Sequence, residues 1–330
     1  MATSRLTTCL EDGSVVLPSE GTIALFGATA DHDLSELPTD RCQVIQTFRP
    51  EHDALTARGF DCVTEPAGPY AMAVVFLPRA RAQGQAMVAA ACAAVPEGTI
   101  LVDGLKTDGI EPMLKACRAR ADVQGQISKA HGKAVWFPST DAFTDWTSPG
   151  PSRTADGYLT APGVFSADGI DPASAALAAA LPAKLGQSVA DFGAGWGYLS
   201  TQILTRPEIA VLHVIEADHT ALTCARANID DPRAKFYWAD VPSWPSPERL
   251  DTVVMNPPFH TTRNADPAIG QSFIAAAAKA LKPGGHLWIV ANRHLPYETT
   301  LAEHFGETTE VGGDGRFKIL HAQRPSRPRR

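Results

Sequence analysis

The chain has no apolar run long enough to span a bilayer. Its most apolar stretch, residues 87–95, is short and alanine-rich, far from the roughly 20 residues a transmembrane helix needs. The first residues carry no basic segment followed by an apolar core, so no secretory signal and a cytoplasmic protein are expected. Cysteines are sparse. Cys9, Cys42, Cys62, Cys92, Cys117 and Cys224 form no CxxC pair, and none stands at a zinc-ligand spacing from a histidine. Scattered thiols in a reducing compartment are expected, and no metal site. Positive charge is in deficit, 29 Lys and Arg against 36 Asp and Glu, a net charge of −7. That argues against a protein that coats nucleic acid nonspecifically, because phosphate neutralisation needs clustered cations. A local basic face remains open. Arg324, Arg327, Arg329 and Arg330, interleaved with Pro325 and Pro328, offer one, although a solubilising tail explains them as well.

What is present is ordinary globular material: 330 residues, 44% hydrophobic and 20% charged. That length makes two domains the default. Two alternating strand–helix series appear. In the first, β-rich runs over 22–26, 43–48, 73–77, 99–102 and 134–137 are separated by helix-like segments over 51–58, 80–94 and 110–119. In the second, strands are expected over 188–192, 210–216, 235–238, 252–255, 286–291 and 317–322, with helices over 198–204, 219–229, 268–281 and 297–305. A further helix starts the second series at Pro172, capped by Asp171. Residues 282–285, Lys-Pro-Gly-Gly, predict a tight turn. Strands alternating with helices imply parallel βαβ units. The expected organisation is a domain over 1–140, a Pro/Ser/Thr/Gly-rich linker over 141–160, a second domain over 161–323 and a basic tail over 324–330. The two series look like tandem copies of one α/β fold.

The strongest local signal is Val189-Ala190-Asp191-Phe192-Gly193-Ala194-Gly195-Trp196-Gly197. An apolar strand ends at an acid, and three alternate glycines lead into a helix. The first βα turn of an open parallel sheet is where adenosine-type cofactors bind, and glycine lets a ligand approach the main chain. A dinucleotide fingerprint would require glycine at position 198, which is Tyr198, so a nicotinamide dehydrogenase fits poorly. Asp191 would repel a pyrophosphate. It suits the cationic end of S-adenosylmethionine. Glu216, 25 residues on at the next strand end, is placed to accept from ribose hydroxyls. Asp218 competes, and a helix cap explains it equally well. Asp240, at the third strand end, is placed to accept from an adenine amine, or is a turn residue.

The fourth strand runs into Asn256-Pro257-Pro258-Phe259-His260. Two prolines after a buried strand remove two donors and fix φ, which presets geometry. The Asn256 side-chain carbonyl and the Pro257 main-chain carbonyl can both accept from one NH2 group. An exocyclic amine is a weak nucleophile, and two acceptors orient it towards a methyl donor. Phe259 offers a face on which a flipped base stacks. His260 is ambiguous. No Ser-His-Asp or Cys-His arrangement has comparable support.

These motifs resemble the class I amino methyltransferases, and the match narrows. Pro162-Gly163-Val164-Phe165-Ser166, with Asp168-Gly169 and Asp171, is similar to the lead-in of the bacterial ribosomal RNA guanine-N2 methyltransferases, the small-subunit methyltransferase C and large-subunit methyltransferase G types. Asn256-Pro257-Pro258-Phe259-His260 resembles their catalytic loop. Residues 289–295 and Gly315-Arg316-Phe317-Lys318 resemble their fifth-strand segment and last strand. The resemblance covers about residues 160 to 323. It implies a seven-stranded, mostly parallel catalytic domain that binds S-adenosylmethionine and methylates guanine N2 of ribosomal RNA or a ribosomal subunit. It also implies a degenerate N-terminal copy that binds RNA without cofactor. There Phe26-Gly27-Ala28-Thr29-Ala30 lacks the alternate glycines, Phe76-Leu77-Pro78-Arg79 stands near the vanished catalytic loop, and Arg79 and Arg81 become RNA-facing candidates. A monomer is the default. A protein glutamine or DNA adenine N6 presents the same NH2, so these substrates stay open, as does a noncatalytic RNA-binding relative.

Overall fold

The structure, a computed structural model, describes residues 4–258 and 267–326. It divides after Gly150 into two compact units. The first holds α1 (Arg5–Glu11), β1 (Ile23–Phe26), β2 (Cys42–Ile45), α2 (Arg49–Ala57), β3 (Asp61–Val63), β4 (Met72–Phe76), α3 (Arg81–Ala94), β5 (Thr99–Leu105), α4 (Ile110–Arg120), β6 (Gly125–Lys129) and β7 (Gly132–Pro138). The second begins with a short hairpin, β8 (Ser152–Arg153) and β9 (Leu159–Thr160). It continues with α5 (Pro172–Ala180), β10 (Ser188–Phe192), α6 (Tyr198–Ile203), β11 (Val211–Glu216), α7 (His219–Asn228) and β12 (Ala234–Trp238). β13 (Leu250–Met255), α8 (Pro267–Ala280), β14 (Leu281–Asn292), α9 (Tyr297–His304), β15 (Phe305–Gly313) and β16 (Phe317–Pro325) complete it.

The sheet orders are β3-β2-β1-β4-β5-β7-β6 and β12-β11-β10-β13-β14-β16-β15, the same path strand for strand. In the second sheet β10 pairs in parallel with β11 and β13, and β16 runs antiparallel to β14 and β15. Such a sheet is buried on both faces, so its central strands read as unbroken apolar runs. Every residue of β10 is buried. Ala190 and Phe192 pack with α8 residues such as Ile274 on one face, while Val189 packs with Leu177 and Leu222 on the other. The chain leaves β10 towards β11 and β12, then returns to add β13 on the opposite side. The crevice between β10 and β13 is therefore the topological switch point, where open α/β sheets bind ligands.

Two expectations are adjusted. Residues 141–160 are not a bare connection. Phe143 is completely buried in the first core against Phe137, whereas Leu159 N–H donates to Asn228 Oδ1 in the second unit at 2.7 Å. Residues 282–285 do not end an element but loop out within β14, where the register passes from Leu250–Leu281 to Thr252–His286. Strands β3, β6 and β15, and helix α1, are additional. No described helix is long and apolar enough to cross a membrane. Among the described residues no group of three metal-ligating side chains converges. Burial pushes the Cys9 thiol up to about 11 and those of Cys42 and Cys117 up to about 12, as expected for inert core thiols.

Candidate active site

The turn after β10 is built on positive φ at Gly193 (71°), Gly195 (56°) and Gly197 (92°). The latter two have different reasons to be glycine. A Cβ at Gly195 would meet nothing within 4 Å, which leaves its main chain open to a ligand. A Cβ at Gly197 would come within 2.9 Å of Ile229 Cδ1, so this glycine lets α6 pack against α7. Gly193 and Ala194 N–H donate to Ile215 C=O at 2.9 and 3.0 Å, tying the turn to the end of β11. Glu216, the next residue, accepts from Gly195 N–H at 2.7 Å and from Asp218 N–H at 2.8 Å. Burial raises its carboxyl above the ordinary value, against the pull of these hydrogen bonds.

Asp191 is fully buried beneath this turn and does not line the open cleft. Its Oδ2 accepts from Ser200 Oγ at 2.7 Å, whereas Oδ1 is buried with no protein partner among the described residues. Burial pushes the carboxyl up to about 7; the neighbouring Glu216 carboxylate adds to the rise and Ser200 opposes it. A buried carboxyl with one empty acceptor favours a cation or a proton.

Asn256 follows β13 on the other side of the switch point. Its Nδ2 donates to Asp171 Oδ2 at 3.0 Å and to Ser174 Oγ at 2.8 Å, while Oδ1 is buried without a protein partner among the described residues. Pro257 is buried and Pro258 exposed. Phe259 and His260 lie outside the described residues. A small cleft joins the two sides, with Gly193 and Gly195 on one wall and Asn256, Asp171 and Ser174 on another; Phe165 and Trp196 also line it. Glu216 reaches this cleft through Gly195. Asp240 lies half-buried between β12 and the following turn, away from its lining.

Four contributors carry no site signal of their own in the sequence. Asp171 follows the recognisable lead-in segment but by itself reads as a helix cap, which it is: Oδ2 also accepts from Ser174 N–H at 2.8 Å. Ser174 and Ser200 look like ordinary helical serines. Phe165 belongs to a recognisable segment, but only the structure shows its ring 59% exposed beside the cleft.

The first unit offers an internal control. Phe26 pairs with Ile45 and Val75, as Phe192 pairs with Ile215 and Met255. Gln46 therefore stands where Glu216 stands, Phe76 where Asn256 stands, and Leu25 where Asp191 stands. Gln46 Nε2 donates to Ala28 C=O at 2.8 Å, and the His32 ring lies 4.1 Å from that of Phe76. The carboxylates and the carboxamide of the second unit are all replaced.

Comparison with known proteins agrees with this geometry. Residues 157–321 match the model of the methyltransferase small domain. The chain is 32% identical over 324 residues to ribosomal RNA small subunit methyltransferase C of Pseudomonas aeruginosa strain LESB58, covering 92% of this chain and 94% of that protein. It is 29% identical over 258 residues to the Shewanella pealeana protein of the same name, covering 74% and 75%. The T. thermophilus 16S rRNA N2 G1207 methyltransferase, solved with AdoMet and guanosine, superposes with a TM-score of 0.77 at 27% identity, over 94% of this chain and 90% of that one.

Proposed function

The chain belongs to the ribosomal RNA small subunit methyltransferase C family, and from that premise we propose that it uses S-adenosylmethionine to methylate guanine N2 of ribosomal RNA. The observation that carries this reading is the buried Oδ1 of Asn256, unpartnered among the described residues, on a residue that lines the same cleft as the glycine turn. An acceptor kept dry and unsatisfied suits a donor on the substrate, and an exocyclic amine is such a donor.

The residues present fit the cofactor. Gly193, Gly195 and Gly197 shape the turn, and the open face of Gly195 leaves room for a ligand against the main chain. Asp191, with its empty Oδ1, supplies negative charge for a sulfonium and ammonium. Glu216, bonded to Gly195 of the turn, is assigned to the ribose hydroxyls, and Asp240, outside the cleft lining, to the adenine amine. S-adenosylmethionine, when bound, supplies an electrophilic methyl group. The chain's own work is orientation. Asn256 Oδ1 and the Pro257 carbonyl accept from the amine's two hydrogens and aim its lone pair; the paired prolines keep those acceptors in place. No strong base is needed beforehand, because the amine loses its proton after attack. Phe259, beyond the described residues, is the proposed stacking face. Pro258 is the second rigid link.

The first unit, which lacks the corresponding acids and asparagine, is assigned to RNA contact. Arg79 and Arg81 stand with Lys106 and Trp146 around a cleft between the loops after β4 and β5. Arg324, with Arg327, Arg329 and Arg330 beyond the described residues, adds positive charge. A cytoplasmic monomer acting on ribosomal RNA or a ribosomal subunit completes the reading.

The test is nucleoside mass spectrometry of ribosomal RNA from cells with and without the gene. Loss of one N2-methylguanosine, restored by the wild-type chain but not by Asn256→Ala, is the expected result. Unchanged N2-methylguanosine would overturn the guanine assignment and redirect the search to glutamine or adenine amines.

A further inference from the structure

We propose that Asp171 and Ser174 are positioning residues that lock the Asn256 carboxamide with its oxygen towards the cleft, so that the site accepts only a hydrogen-bond donor. The inference builds on the amine-methylating function proposed above, and it assigns a selectivity to residues outside the catalytic loop.

A carboxamide has two ends of nearly equal shape, and only their partners distinguish them. An ionised carboxylate can only accept. The Asn256 atom 3.0 Å from Asp171 Oδ2 must therefore be the NH2 nitrogen. The second amide hydrogen goes to Ser174 Oγ at 2.8 Å. Both donors are then used, and Oδ1 is left buried without a protein partner among the described residues. Turning the group over would set a carbonyl against the Asp171 carboxylate and forfeit that bond, while the Ser174 hydroxyl can donate as well as accept, so Asp171 sets the orientation and Ser174 holds it. The clamp is itself fixed. Asp171 caps α5 through Ser174 N–H, and Pro172 opens the helix with its φ preset. The clamp lies 85 and 82 residues from Asn256 in sequence, so the start of α5 determines what the end of β13 presents.

The chemical consequence is discrimination at one atom. With Oδ1 held towards the cleft, guanine N2 is bound and aimed. A base without that amine, such as hypoxanthine, leaves Oδ1 unsatisfied. An asparagine free to turn would offer NH2 for part of the time and tolerate such a base.

Asp171→Asn separates positioning from helix capping, because asparagine caps as well as aspartate but can also donate to Asn256 Oδ1. The expected result is an unchanged melting temperature and S-adenosylmethionine affinity, with kcat lower by about a hundredfold, the lower end of the range for removal of one preorganised hydrogen bond. Guanosine should outcompete inosine as an inhibitor of the wild type, and this preference should shrink in Asp171→Asn. Ser174→Thr, which keeps the hydroxyl, should retain activity that Ser174→Ala loses. Wild-type kcat and wild-type nucleoside preference in Asp171→Asn would overturn the proposal. A loss of kcat that tracks a loss of stability, with the preference intact, would reduce Asp171 to a cap and overturn it equally. The side-chain NH2 signals of Asn256, identified by their disappearance in Asn256→Ala, provide a readout that does not depend on the substrate. They should shift in Asp171→Asn, and signals that stay in place would sink the clamp even if the guanine assignment stood. If the wild type methylates no guanine, the proposed function fails on that result, while the NH2 signals still decide the clamp.

Discussion

The Ser200 hydroxyl donates to Asp191 Oδ2 at 2.7 Å, leaving the other oxygen of a fully buried carboxyl without a protein partner among the described residues. This half-satisfied acid is expected to couple cofactor binding to pH. In the unfolded chain Asp191 titrates near 3.8; in the fold, burial above all pushes it up to about 7. The folded carboxyl thus keeps a proton that the unfolded one has lost. Its contribution to stability is complete below the lower value and is lost as pH rises through the upper one. A bound cation favours the ionised form. S-adenosylmethionine affinity should therefore fall about tenfold per unit as pH drops below 7, with up to one proton released on binding. Calorimetry in two buffers of different ionisation enthalpy measures that release. A pH-independent affinity in the wild type, or a slope that persists in Asp191→Asn, would show that another group is responsible.

The glycines of the turn should fail in different ways. Gly195→Ala adds a methyl into open space at φ 56°, at an expected backbone cost of roughly 1–2 kcal/mol. Its main effect should be weaker cofactor binding in a chain that still folds. Gly197→Ala incurs the same torsional cost and forces a Cβ to within 2.9 Å of Ile229, adding about 1–3 kcal/mol of overpacking. Its main effect should be a lowered melting temperature. Thermal denaturation paired with a cofactor titration distinguishes them, and identical behaviour of the two variants would contradict this division of labour.

What was legible in the sequence follows from where the signal is stored. Strands such as β10 are buried on both faces and announce themselves as apolar runs. β15 buries only Phe305; Thr308, Thr309 and Glu310 are all exposed, so it carries no such run. β3 has only three residues, none fully buried. The glycine turn and Asn256-Pro257-Pro258 are readable because each is contiguous. The hydrogen bonds of Asp171 and Ser174 with Asn256 are not, because they form only when the fold brings the start of α5 to the end of β13. Asp191 reads from sequence as a residue of the cleft, yet it lies beneath it, since β10 directs its side chain into the interior.

One cofactor should bind per chain. Leu25, Gln46 and Phe76 occupy the places of Asp191, Glu216 and Asn256, and the His32 ring lies against Phe76. Burial holds the His32 imidazole down to about 4, so it is neutral at pH 7 and attracts no carboxylate. Calorimetric titration should give a stoichiometry near one that Glu216→Ala abolishes. A second site surviving in that variant would show that the first unit retains cofactor binding.

The paired substitution Arg79→Ala, Arg81→Ala tests the RNA assignment of the first unit. Arg79 lies 3.9 Å from Asp108, a long and half-exposed ion pair that costs little to exchange for a phosphate. Each arginine that neutralises a phosphate should, when removed, lower the slope of log affinity against log salt by about one. RNA affinity should fall most at low salt, with S-adenosylmethionine affinity unchanged. An unaltered salt slope would remove these arginines from the interface.

Phe165 provides the last test. Its ring is 59% exposed, yet its backbone is tightly held. Trp196 Nε1 donates to its carbonyl at 3.0 Å, and the next residue, Ser166, turns at φ 52° with its hydroxyl bonded to Gly169 C=O at 2.8 Å. A large aromatic ring on a fixed support beside the cleft offers a face on which a flat ligand can stack. A base stacked there would gain about 1–3 kcal/mol. Phe165→Ala should therefore raise KM for RNA by roughly fivefold to a hundredfold, as that energy implies, with cofactor affinity and melting temperature near wild type. If cofactor affinity falls instead and KM for RNA holds, the ring covers the cofactor rather than the target base. Steady-state kinetics with RNA varied at saturating S-adenosylmethionine, set beside a direct cofactor titration, decides between the two.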